Sequence, residues 1–66
     1  MAQLNSKWLV SATVKNEDGT RRGSVKSVNG DNLLIQTLKG FVIESAIDLV
    51  EKGLITNNNS PAPQYL

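Results

Sequence analysis

The chain contains neither cysteine nor histidine. Without cysteine there is no disulfide and no thiolate metal site, and without either residue structural zinc of the usual kind is excluded. Apolar residues come in short runs, none approaching the roughly 20 that a membrane helix needs, so no membrane insertion is expected. Aromatics are scarce: Trp8, Phe41 and Tyr65 are the full set. A single domain of 66 residues buries only about 60% of its unfolded surface. Such a chain must stand on a small apolar core or lean on a partner.

What the sequence does have is turn signals. Asp18-Gly19, Asn29-Gly30-Asp31 and Lys39-Gly40 cut the middle of the chain into short pieces rich in Val, Ile, Leu and Phe. Asx-Gly pairs between such runs signal hairpins, because their backbones tolerate positive φ. Residues 1–6 are polar and read as a flexible N-terminus. Lys7–Lys15 alternates, with Trp8, Val10, Ala12 and Val14 on one face, and reads as a first strand. Trp8 is read as the anchor of one end of the core, the alternative being an exposed aromatic used in binding.

The second strand, Arg21–Val28, breaks its parity near Lys26–Ser27, where a bulge is expected. Gly23 inside it marks a bend or a close backbone approach. Asn32–Thr37 and Phe41–Ser45 follow as strands three and four. Ser45 and Asp48 are spaced as in a capping box, but the segment is short and reads as a 3₁₀ turn. Leu49–Glu51 is then the closing strand.

Residues 54–66, with three asparagines and two prolines, read as a disordered tail, or as a recognition arm anchored by Tyr65 and Leu66. The expected architecture is all-β: a small SH3-like barrel of about five antiparallel strands over residues 7–53. Closure of the sheet would leave no edges and keep the isolated chain monomeric. Its expected core is Val10, Ala12, Val14, Val25, Val28, Leu33, Ile35, Phe41, Ile43, Ile47 and Leu49.

Chemistry is sparse. No histidine or thiol can serve as base or nucleophile, the glycines lack phosphate-loop spacing, and Glu44, Asp48 and Glu51 read as a solvated face. A non-catalytic protein with no cofactor is expected. Charge is uneven. Lys7, Lys15, Arg21, Arg22 and Lys26 stand against Glu17 and Asp18, a net +3 over residues 7–26, whereas residues 27–52 carry a net −2. Lys15, Arg21, Arg22 and Lys26 flank one hairpin. They are the candidate docking residues, for carboxylates or phosphates. Nucleic acid would call for exposed stacking aromatics and a pI above about 9; with a pI near 8.1, an acidic protein is preferred and no nucleic acid is expected.

The run VKNEDGTRRGSVKSVNGDNLLIQTLKGFVIESAIDLVEKG resembles the NdhS family, the small S subunit of the cyanobacterial photosynthetic NAD(P)H-dehydrogenase-like complex. The spacing of Asp18, Gly19 and Gly23 is shared with PRC-barrels. The resemblance spans roughly residues 7–53. It implies an SH3-like subunit bound to the other subunits of that complex, peripheral on the cytoplasmic side of the thylakoid membrane. There it would help dock acidic plant-type ferredoxin for cyclic electron flow to plastoquinone. Lys15, Arg21, Arg22 and Lys26 would then be the docking cations, with Tyr65 in the tail a second contact. No iron–sulfur cluster can be held here, since clusters need cysteines. The alternatives are a nucleic-acid-binding SH3-like barrel and a PRC-barrel-like structural adaptor.

Overall fold

The computed structural model describes residues 3–66; the first two residues of the expected flexible N-terminus lie outside the described part. The elements in chain order are α1 (Ser6–Val10), β1 (Thr13–Lys15), β2 (Arg21–Asn29), β3 (Asn32–Thr37), β4 (Gly40–Ser45), α2 (Ala46–Glu51) and β5 (Ile55–Thr56). The five strands form one antiparallel sheet in the order β4-β3-β2-β1-β5. This is a small all-β, SH3-like fold: β1 to β4 form a four-stranded meander, and the last strand returns past a helical turn to lie beside the first. No helix among the described residues is long and apolar enough to cross a membrane.

Leu33, Ile35 and Val14 are fully buried and define the inner face. Trp8, Leu9, Ala12, Val25, Ala46, Leu49 and Ile55 complete the core. Trp8 is thus the core anchor that the sequence pointed to. Lys26 interrupts the β2–β3 register between Val25 and Ser27, as the parity break predicted.

The first strand is shorter than its alternation predicted. Residues 6–10 are helical, with the Asn5 side chain accepting from the Lys7 N–H at 3.0 Å as N-cap. The helical spacing buries Trp8, Leu9 and Ala12 and leaves Val10 exposed. The segment after β4 is a six-residue α-helix instead of a 3₁₀ turn. Ser45 is its N-cap residue but makes no side-chain cap bond, so no capping box forms. Leu49–Glu51 belongs to that helix, and the closing strand is Ile55–Thr56.

The segment read as a disordered tail is therefore part of the fold. Ile55 is buried, and Lys15 N–H donates to the Leu54 carbonyl at 2.7 Å. Buried Asn57 donates from Nδ2 to the Trp8 carbonyl at 3.0 Å, and Trp8 Nε1 donates to the Ser60 carbonyl. Leu4 bridges Tyr65, and Asn5 N–H donates to the Gln64 carbonyl at 2.9 Å.

Phe41, Ile43 and Ile47, expected in the core, are exposed. The alternation of β4 was read correctly but its facing was inverted. Val42 opposes Ile35 and Glu44 opposes Leu33, so these two face inward, and Phe41 and Ile43 oppose Gln36 and Leu34 on the outer face. The sheet also does not close: β4 and β5 each have one strand neighbour, so two edges remain.

Candidate docking surface

The β1–β2 hairpin reverses through Asn16–Thr20. Asn16 N–H donates to the Thr20 carbonyl at 2.7 Å, and Gly19 N–H to the Asn16 carbonyl at 3.0 Å. Gly19 takes φ +91°, where L side chains are strained. Asp18 Oδ1 accepts from the Thr20 N–H at 3.0 Å and from its hydroxyl at 2.6 Å. The hydroxyl first, then the backbone bond, holds the Asp18 carboxyl below its ordinary value of 3.8.

Because the folded state favours the ionised carboxylate, its contribution to the turn is complete above 3.8 and is lost as pH falls through the lowered folded value. An acid titration of the Thr20 amide chemical shift should show a midpoint below 3.8; a midpoint at or above it would mean these bonds do not hold in solution.

The turn places Lys15 directly opposite Arg21, both exposed. Arg22 is the extra residue of a register shift at Val14/Lys15. Bulges re-aim side chains, and this guanidinium reaches past β3 to Glu44 Oε2 on β4. Both partners are about one-third exposed. They line a cleft of about 360 Å³ with Lys15, Glu17, Asp48 and Lys52, where cations and carboxylates balance. Arg22 is thus committed within the fold. Lys26, the extra residue of the second register shift, is exposed.

Lys15, Arg21 and Lys26 have no carboxylate within ion-pair distance among the described residues. Tyr65 is half exposed, in a groove of about 480 Å³ lined by Leu4, Ile47 and Val50 among others and by none of the four cations.

One residue of this surface went unrecognised in the sequence. Leu38, at the tip of the β3–β4 turn, is fully exposed and shares a shallow groove with Arg21 and Arg22. A leucine inside a two-residue turn was the available signal. Among the described residues no group of three carboxylates is placed to hold a metal ion. No family model matches the chain, and no curated protein or solved structure is significantly similar to it.

Proposed function

We propose that this chain is a non-catalytic docking subunit of the photosynthetic NAD(P)H-dehydrogenase-like complex. In that role it sits peripherally on the cytoplasmic side of the thylakoid membrane and helps bind reduced, acidic plant-type ferredoxin for electron flow to plastoquinone. The observation that carries the reading is the cross-strand pair Lys15–Arg21: two exposed cations held opposite each other by a tight turn, with no carboxylate partner among the described residues. Lys26 extends the field along β2, and Leu38 adds an apolar contact beside Arg21. Complementary charge of this kind raises the encounter rate and orients the carrier, while a small contact lets it leave.

Reversing Lys15 and Arg21 to glutamate (K15E/R21E) is expected to weaken ferredoxin binding about tenfold at low salt, at about 0.7 kcal/mol per reversed exposed charge. Native binding should itself fade once salt passes about 0.1 M, where screening reaches about 10 Å. Isothermal titration or amide-shift mapping reads both. Binding that survives the double reversal places the site elsewhere.

The adaptor reading has one observation in its favour: Leu38, Phe41 and Ile43 form exposed apolar surface on β4 and the turn before it. Partner contacts that resist high salt would support it. Nucleic acid gains an exposed Phe41, but single-strand binding uses successive stacking platforms, and Trp8 is buried.

A further inference from the structure

The groove that holds Tyr65 carries an inference independent of the basic hairpin. Three separate parts of the chain build it. The bridged residues Leu4 and Tyr65 supply one wall. Ile47, Val50 and Glu51, spaced as one face of α2, supply the second. Gly30 and Asp31 of the β2–β3 turn supply the third. That turn is tied to the start of α2, where the Ala46 N–H donates to the Asp31 carbonyl at 2.9 Å. Leu9 and Ala46 also line the groove and are buried, so its floor is apolar. At about 480 Å³ it falls within the range of roughly 300–1,000 Å³ usual for small-ligand sites.

Charge specifies the occupant. Among the described residues, the charged groups that line the groove are two carboxylates, Asp31 and Glu51. Both residues are exposed, and no described lysine or arginine lies within ion-pair distance of either. Lys52, which follows Glu51 in the chain, lines the cleft beside Arg22 instead. Asp31 is tied to the start of α2 and Glu51 ends it, so about 8 Å of helix separates them. A neutral apolar molecule would leave these carboxylates unused, and an anion would be repelled. We propose that the groove binds a small amphipathic cation: an aliphatic group carrying one primary ammonium. The aliphatic part rests on Leu9 and Ala46, between Leu4 and the Ile47–Val50 face of α2. The ammonium stays at the solvated rim, in the field of both carboxylates, and so avoids the penalty of burying a charge. An exposed pair of this kind adds at most about fivefold in affinity, so charge supplies selectivity and apolar contact supplies most of the binding.

Chemical-shift titrations of the labelled chain with hexylammonium, hexanol and hexanoate test this, the three probes sharing one apolar chain and differing in charge. Each is carried to about 20 mM at low salt, where a millimolar site is close to saturated. Shifts should concentrate at Leu4, Ile47, Val50 and Tyr65. Hexylammonium should bind about fivefold more tightly than hexanol, and hexanoate most weakly. D31N/E51Q should bring hexylammonium to the affinity of hexanol and leave hexanol unchanged. Ile47→Ser should weaken all three probes. The three substituted side chains are exposed, and retained amide dispersion confirms that the variants fold. Native preference for the ammonium should shrink once salt passes about 0.1 M. Hexanol or hexanoate binding as tightly as hexylammonium overturns the proposal, as does an ammonium preference that survives D31N/E51Q. Shifts that fall outside the groove, or no shifts at the highest concentration, overturn it equally.

Discussion

Gly23→Val is expected to leave the chain largely unfolded. Gly23 sits in β2 between Val14 of β1 and Thr37 of β3. A Cβ at this position would overlap the Gln36 carbonyl oxygen and stand 3.0 Å from its carbon and 3.2 Å from Ile35 Cγ2. The obstacle is backbone, so no rotamer change relieves it, and moving it means parting β2 from β3. Overpacking a core with side chains costs about 1–3 kcal/mol, occasionally more; an overlap with backbone belongs at or above the top of that range.

A domain of this length holds about 3–10 kcal/mol in total. A loss of about 3 kcal/mol would lower Tm by about 12–24 °C. Thermal unfolding followed by circular dichroism measures it. Gly19→Ala is the comparison: φ is +91° but the space is open, so only conformational strain of about 1–2 kcal/mol is at stake. A Gly23→Val chain melting within a few degrees of the parent would show that the strands do not approach as described.

Removing residues 54–66 is expected to abolish the fold. The deletion takes Ile55 out of the core, and losing a buried side chain of that size costs about 2–5 kcal/mol. It also removes β5, the neighbour of β1 on the side away from β2, and the carbonyl that accepts from Lys15 N–H. Trp8 loses the Ser60 acceptor for its indole, and its own carbonyl loses Asn57. A buried polar group left without a partner costs about 1–3 kcal/mol, so the combined loss reaches the whole stability of the domain. Amide dispersion should collapse in the chain ending at Gly53. A chain ending at Ser60 keeps β5, Asn57 and the indole acceptor, and should stay folded. Dispersed spectra from the shorter chain would return residues 54–66 to the status of a tail.

The middle of the sequence was legible because its signals are local. Glycines 19, 30 and 40 all take positive φ, and the strands between them follow the turns to within a residue. The parity break at Lys26 likewise marks a real register shift. The two ends were not legible, because what orders them is distant in the chain. The five residues of α1 are too few to display a helical period, and KWLVSATVK alternates by coincidence. Only the joint burial of Trp8 and Leu9 separates the two readings. Asn57 looks like loop composition, yet its amide is fixed by Trp8, 49 positions earlier.

The facing of β4 shows a third limit. Alternation defines two faces but does not say which is inner. Here Leu33 and Ile35 on β3 decide, and Glu44 is tolerated beside them because Arg22 reaches it. That ion pair also sets Arg22 apart from the other three candidate docking cations: counting charges cannot reveal which of them the fold has already matched.

The joining of Leu4 to Tyr65, and of Gln3 to the Leu66 N–H, makes the chain topologically closer to a ring than to a line. Its first and last described residues are spatial neighbours, and the position of the break is separable from the set of contacts. A short link between the ends, with a new opening at the exposed Leu38–Lys39 turn, would preserve every strand pairing while moving β4, α2 and β5 ahead of α1 and β1 in the order of synthesis. The β1–β5 pair, now the most separated in sequence, would then lie within one continuous stretch of backbone.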